Sequence, residues 1–521
     1  MDRRGFLKTG SVALGGAALA GCATSHGSAG PTTSSTTSSP SSPSSTGTTS
    51  GPPPWSTLAG TLSGSLVLPG DGTYAAQSLL FNELLTSQPA AIALCATPTD
   101  VQRCVGFARA HGVPLAARSG GHSYAGYSSG PGLMVDVSAL NRITLGGGQQ
   151  AVVGAGTRLI DLYSTLGAAN VLLPGGSCPT VGIAGLALGG GIGVFGRAYG
   201  LTCDNIASLD VVTADGSLRT CSPHSHADLY WASRGGGGGN FGIVTSFTFT
   251  THPMPDVNLF TLEWNWSEAG AVLDAWLTFI PAAPPPLWAN CQLASNGTGS
   301  GVNVKVTGVF AGSTAACASA LTPLLSAVGA APTYRFVGPE DYMRAMLIEA
   351  GCENLTVPQC HLPAQNPAGT RTRTAFVAKS TYVNAPLPAA GTAAVISAVE
   401  ALEVPAAGGG VVFDGYGGTI STLGSGDTAF VHRDAIACAQ YSVNFNSAAG
   451  ADLGGARDWL AHTQSTFAPY AEGSYQNYID PTLTDWAQAY YGANLPRLRQ
   501  VKAVYDPDDT FHFAQSIPLP I

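Results

Sequence analysis

Arg118-Ser119-Gly120-Gly121-His122-Ser123-Tyr124 is the stretch from which the rest of the chain is read. A glycine pair held between an arginine and a histidine lets backbone N–H groups come close to a planar or anionic ligand, because no Cβ stands in the way. It is the first of four such clusters. The others are Pro174-Gly175-Gly176-Ser177-Cys178-Pro179-Thr180-Val181-Gly182, the run from Gly189 to Gly196, and Arg234 followed by five glycines, Asn240, Phe241 and Gly242. Residues 118–242 hold 28 of the 67 glycines in under a quarter of the 521 residues, so the excess is local. Around it strand and helix patterns alternate: 91–96 apolar, 99–111 helical, 130–138 strand-like, 157–166 helical, 208–213 and 244–250 β-branched. The pattern predicts an α+β domain threaded by glycine loops.

Residues 191–196 also match Gly-x-Gly-x-x-Gly, with Asp210 about 20 residues on, so a dinucleotide-binding turn is a competing reading. That turn needs a strand directly before it, and the short Leu186-Ala187-Leu188 is bounded by glycine. Composition excludes other classes. Charged residues are only 10%, the net charge is −9, and the four lysines (Lys8, Lys305, Lys379, Lys502) make no basic stripe, which argues against nucleic acid. Eleven cysteines show no zinc-type pair spacing and there is no His-Glu-x-x-His, so no metal site is expected. Cys352 and Cys360 flank a loop with Pro358 and are a candidate disulfide.

The N-terminus reads as an address. Arg3-Arg4 with Phe6-Leu7-Lys8 and a short apolar run resemble a twin-arginine export signal, and Leu19-Ala20-Gly21-Cys22 resembles a lipobox that would make Cys22 a membrane lipid anchor. Asp2 stands where that signal usually has Ser or Thr. Residues 1–22 are read as the signal and 23–54 as a Ser/Thr/Pro-rich linker that cannot bury enough apolar surface to fold. The expected destination is the bacterial cell envelope or the exterior.

Taken in order, the clusters resemble the FAD-binding domain of the vanillyl-alcohol-oxidase (PCMH-type) class and, within it, the berberine-bridge-enzyme-like oxidases. Further pieces carry the resemblance: Tyr199-Gly200-Leu201-Thr202-Cys203-Asp204-Asn205, Asp228-Leu229-Tyr230-Trp231, and a C-terminal Tyr475-Gln476-Asn477-Tyr478-Ile479-Asp480. The resemblance implies a two-lobed FAD-binding domain (55–254), an antiparallel-sheet substrate domain with helices (255–473), and a segment returning to the FAD domain (474–521). It implies bicovalent FAD, with His122 on the 8α-methyl and Cys178 on C6 of the isoalloxazine. By the same resemblance Arg118, Ser119, Gly120, Gly121, Ser123, Val181, Gly182, Gly185, Gly189, Gly190 and Gly193 belong to the cofactor site. So do Asp204, Asn205, Gly242, Ile243, Val244, Tyr475 and Asn477.

Val181, as the gate over the flavin, implies an oxidase that uses O2 and makes H2O2. Tyr478 matches the catalytic base. A free phenol would need its pKa lowered by about three units, roughly 4 kcal/mol, to act near pH 7, so a partner is required. Asp414 is that partner or a solvated turn residue. Some members of the family carry a glutamate near Gln440-Tyr441, and none is present here. This argues against ring-closing alkaloid chemistry and leaves a sugar or alcohol as substrate. Competing expectations are an FAD-linked dehydrogenase using a quinone or other acceptor, and a lipid-anchored binding protein without turnover.

Overall fold

The computed structural model describes residues 53–299 and 301–520. The expected export signal, the candidate anchor Cys22 and the expected linker up to residue 52 lie outside the described residues.

The chain opens on a small sheet of β1 (Ser65–Val67), β2 (Ala91–Leu94), β3 (Leu115–Arg118) and β4 (Leu133–Asp136), in the order β1-β2-β4-β3. Its inner strands are parallel. The crossover from β2 to β3 is α1 (Pro98–His111), which starts where Thr97 and Asp100 form a capping box and ends at Gly112 in the left-handed region. A second, antiparallel sheet is built from β5 (Ile143–Leu145), β6 (Gln150–Gly154), β7 (Ile206–Val212), β8 (Leu218–Cys221) and β9 (Ile243–Thr250), in the order β5-β6-β9-β7-β8. Between β6 and β7 run α2 (Leu159–Ala168) and the short α3 (Ile183–Leu188). The Gly-x-Gly-x-x-Gly run therefore follows a helix, not a strand, and the dinucleotide-turn reading fails on its own structural requirement.

The third sheet has eight strands, all antiparallel to their neighbours. They are β10 (Val257–Trp264), β11 (Leu287–Ser295), β12 (Val302–Ala311), β13 (Tyr334–Glu340), β14 (Ala375–Val383), β15 (Ala407–Gly415), β16 (Ala437–Phe445) and β17 (Ala471–Glu472). Their order is β13-β10-β12-β11-β15-β16-β14-β17. One face packs a dry core against α4 (Ala269–Phe279), α6 (Ala389–Glu400) and α7 (Leu453–Phe467), with Cys291, Leu293, Val411, Phe413, Ala439 and Tyr441 pointing into it. The period of two sends their neighbours to the other face. There Trp288, Tyr382, Tyr416 and Cys438 join the core of the first two sheets. Helix α5 (Tyr342–Glu349) covers part of this face, with Tyr342, Ala345 and Met346 in the shared core. The C-terminal residues return to the first two sheets: Tyr475, Tyr478 and Tyr490 are buried in their core, as are Leu498 and Val501 of α8 (Leu495–Tyr505).

Candidate functional site

A cavity of about 630 Å3 opens between the two small sheets and the inner face of the large one. That volume lies in the range of small-molecule and cofactor sites. Of the residues expected to hold a cofactor, Arg118, Ser119, Gly120, Gly121, His122, Ser123, Cys178, Val181 and Gly182 line it, as do Gly185, Gly242, Ile243, Val244, Tyr475 and Asn477. Tyr478 lines it as well.

The loop after β3 is pinned at its root. Arg118 donates to Asp136 on the adjacent β4 and to the carbonyl of Gln77, so its guanidinium holds the loop in place. Beyond the root, the His122 ring stacks on Phe81, centroids 3.9 Å apart, and meets Thr180 Oγ1 at 2.9 Å. Burial, helped by the charge of Arg158, holds His122 down to about 3, which leaves a neutral imidazole. Thr180 Oγ1 also lies 3.9 Å from Cys178 Sγ, so one hydroxyl stands between the two side chains. Among the described residues Cys178 is the one free cysteine that is not fully buried. Burial pushes its thiol up, opposed by Arg371.

The glycines divide into two groups. A Cβ on Gly120 would sit 2.3 Å from the Gly182 amide nitrogen, and one on Gly182 would sit 2.0 Å from Ser119 Oγ, so here two loops cross in contact. A Cβ on Gly185, by contrast, would meet no protein atom within 4 Å and would enter the cavity. At Gly185 the cavity wall formed by α3 is therefore bare backbone.

Some expected cofactor residues are placed elsewhere. Gly189, Gly190 and Gly193 do not line the cavity; their missing side chains make room for Asn477, for Phe430, and for the Gly175 carbonyl. Asp204 holds Arg433 with both oxygens, at 2.7 and 2.8 Å, and Asn205 is bonded to two backbone carbonyls and to His252. These five support the site from behind. Tyr475 is tied to the same loop, its hydroxyl accepting from the Gly191 amide and from Asn477, which also donates to the Leu186 carbonyl.

Tyr478 stacks on Tyr124, centroids 5.2 Å apart, and meets Tyr475 edge-on at 4.9 Å. Its phenol is pushed well above the usual value by burial and then by the nearby Asp414 carboxyl. This reverses the expected direction: the surroundings hold the proton on Tyr478. Asp414 is no solvated turn residue, being 2% exposed on β15, and neither of its oxygens has a hydrogen-bond partner among the described residues. Burial, then the charge of Glu349, raises it to about 7.

Sequence reasoning passed over the strip beside Asp414. Asp414 pairs across the sheet with Asn290, and on the same face lie Gln292, Gln440 and Ser442. All four are buried. Gln440 donates to the Tyr124 hydroxyl at 2.8 Å, while Asn290 accepts from Gln292 and Thr307. Asn290 Nδ2, Gln292 Oε1 and Gln440 Oε1 remain without partners among the described residues. The signal available was an alternation of polar residues at 290 and 292 and at 440, 442 and 444, inside strands whose other residues are apolar.

Comparison with known proteins supplies the remaining findings. The family model described as FAD binding domain matches residues 89–222, and the one described as berberine and berberine like matches 474–518. An uncharacterized FAD-linked oxidoreductase of Bacillus subtilis, YgaK, is 32% identical over 88% of this chain and 97% of its own. A xylooligosaccharide oxidase of Thermothelomyces thermophilus is 30% identical over 84% of this chain and 88% of its own. Among solved structures, BBE-like 1 of Physcomitrella patens superposes with a TM-score of 0.81 at 31% identity, over 89% of this chain and 99% of that one.

Proposed function

The chain belongs to the berberine-bridge-enzyme-like family of FAD-linked oxidoreductases, and from that premise we propose that it is an oxidase of a sugar or related polyhydroxylated alcohol. The observation that carries this reading is the buried polar strip. Donors and acceptors removed from water are ordinarily paired, and here Asn290, Gln292, Gln440 and Asp414 carry unpartnered atoms on one face of the large sheet, with Gln440 lining the cavity alongside Tyr478. A substrate rich in hydroxyls, each both donor and acceptor, meets such a surface; an aliphatic alcohol does not. The oligosaccharide oxidases among the relatives support the same choice.

The cavity fits FAD on its own residues: bare backbone at Gly185, and a neutral histidine and an accessible thiol on either side of Thr180. His122 and Cys178 would hold it covalently, on the 8α-methyl and C6 of one ring. When bound, FAD supplies an acceptor for the substrate's hydride and passes the electrons to O2 to give H2O2. The chain's own task is the proton. Tyr478 orients the reacting hydroxyl and takes its proton while relaying its phenolic proton to ionised Asp414, so no free phenolate is required. Tyr124, held by Gln440, fixes the ring of Tyr478 by stacking. Val181, small and on the cavity wall, leaves room for O2. A lipid-tethered, exported location is proposed from the first 22 residues alone.

The test is a panel of sugars and alcohols read by anaerobic bleaching of the flavin, followed by peroxide release in air. Tyr478→Phe should stay yellow and lose bleaching by at least a hundredfold. Bleaching at the native rate would remove Tyr478 from the mechanism, and bleaching only by non-sugar alcohols would remove the sugar reading.

A further inference from the structure

Between α5 and β14 runs a segment, residues 350–374, whose regular structure is one short turn of helix, Pro358–Cys360. Irregular connections longer than about 15 residues are uncommon in compact domains and are usually functional. This one is a strap closed on itself. Cys352 and Cys360, expected as a disulfide, are joined. The amides of Thr370 and Arg371 donate to the carbonyls of Gln359 and His361, and the Arg371 guanidinium donates to the Gly351 carbonyl at 2.9 Å.

The strap lies behind the loop that carries Cys178. Both half-cystines are buried in a small separate core with Ala350 and with Ile160 of α2, and Leu355 and Val357 pack against it. At the start of α2 the amides of Leu159 and Ile160 donate to the carbonyls of Val181 and Pro179. The residue on which the strap packs thus holds the Cys178 loop by its backbone. Next to Cys360, His361 Nε2 stands 3.0 Å from an Asp161 oxygen, a second hold on α2. Gln365 reaches the loop itself, its Nε2 donating to the Thr180 carbonyl at 3.3 Å. Thr180 is the residue whose hydroxyl stands between His122 and Cys178. Burial pushes the Cys178 thiol up, and the charge that opposes it is that of Arg371, within the strap. No residue of 350–374 lines the cavity, so the strap bears on the loop and not on a ligand. His122 has other supports, Arg118 at the root of its loop and the stacked Phe81.

Joining Cys178 to C6 of a flavin forms the S–C6 bond and breaks the S–H and C6–H bonds; the two protons and two electrons released reduce one O2 to H2O2. Such a step needs the reacting atoms about 3–3.5 Å apart, and a misplacement of about 1 Å costs on the order of a hundredfold in rate. We propose that the strap 352–371, closed by the Cys352–Cys360 disulfide, is the positioning device for this second bond: through α2 and the Thr180 carbonyl it sets Cys178 against the ring, and the bond forms efficiently only in chains whose strap is closed. The disulfide contributes by sparing the strap the entropy of ordering a long irregular segment. The strap's role rests on the bicovalent reading given above.

The experiment opens the strap in two ways, by Cys352→Ala with Cys360→Ala and, with the disulfide kept, by Gln365→Leu. Each change is placed in a His122→Ala holoenzyme, where Cys178 is the one anchor, and in a Cys178→Ala holoenzyme, where His122 is. Flavin retained in the acid precipitate is measured per chain, and the peptide that carries it is identified by mass. In His122→Ala the retained flavin should fall about tenfold with either change, the lost part appearing as free FAD in the supernatant. In Cys178→Ala it should not change, which also shows that the opened chain folds and fills its cavity. Should the cysteine variants fail to fold, Gln365→Leu decides. Retained flavin unchanged in both backgrounds, or lowered equally in both, overturns the strap's role. A His122→Ala protein that retains no flavin even with the strap intact overturns the bicovalent reading and the strap's role together.

Discussion

Asp414 carries two opposed pH dependences. Its folded value, raised to about 7 by burial and Glu349, lies above the roughly 3.9 of an unfolded aspartate. Between those values the folded protein keeps a proton that the unfolded chain has released, so stability falls as pH rises from about 4 to about 7. On the proposed mechanism, the ionised carboxylate to which Tyr478 would pass its proton appears over the same climb, so turnover should rise with an acid limb near 7. Asp414→Asn should lower turnover strongly and remove the acid limb from what remains. It should also flatten the melting curve against pH, with a gain over the native protein above pH 8 on the order of 4 kcal/mol at most. Melting temperatures of the two holoenzymes at pH 5 and pH 8.5 check this; a gap that does not widen with pH would show that Asp414 is not held protonated. At the cavity's other end, His122→Ala and Cys178→Ala should each leave yellow protein after acid precipitation, through the remaining link, and the double variant should release its flavin to the supernatant. Loss of colour from either single variant would mean that one bond, not two, holds the cofactor.

At the scale of elements, α3 and the loop crossing separate two reasons for glycine that look alike in sequence. Gly185 faces open cavity and Gly120 faces the backbone of Gly182. Gly185→Leu should therefore fold and purify with substoichiometric flavin, read from the ratio of absorbance near 450 nm to that at 280 nm. Gly120→Ala should fail to accumulate as folded protein, since backbone cannot move aside for its Cβ. Full flavin content in Gly185→Leu would show that this wall is not where the ligand lies. The same contrast explains what was legible. The Arg-Ser-Gly-Gly-His and Cys-Pro-Thr-Val-Gly loops could be read because their residue types are unusual in order. The role of Gly189, Gly190 and Gly193 could not, because the atoms they make room for come from residues 477, 430 and 175. Helix α4 runs over 269–279, where the apolar period is unbroken. The stretch 314–328 divides into helices Thr314–Ala320 and Thr322–Val328, and the second begins with Pro323 in its first turn. Asn290 and Gln292 escaped notice because nothing local distinguishes a buried polar strip from a solvated one; only the opposite sheets decide which face is covered.

For the whole molecule, a pair of arginines exchanged between the lobes ties the large sheet over the cavity, beside the core that the sheets share. Arg197, just before β7 of the second small sheet, donates to the carbonyls of Leu287 and Ala283 at 2.8 and 2.7 Å and to that of Tyr416. In return Arg433, from the loop between β15 and β16, grips Asp204 with both nitrogens and donates to Thr428. Both arginines are fully buried, and Asp204 nearly so. A buried ion pair need not add net stability, but removing one partner leaves the other charge unpaired, at a cost of roughly 3–5 kcal/mol. Arg433→Met should therefore lower the denaturant midpoint strongly, and Arg433→Met with Asp204→Leu should recover most of the loss. Because the large sheet carries a dry core of its own on its outer face, the single variant should also separate unfolding into two steps: flavin release with loss of the inter-lobe contact first, and the dry core of the large sheet afterwards. Flavin fluorescence and far-ultraviolet circular dichroism should coincide through denaturation of the native holoenzyme and diverge in Arg433→Met. Coincident curves in the variant would mean that the shared tyrosine core, not the exchanged arginines, makes the lobes unfold as one.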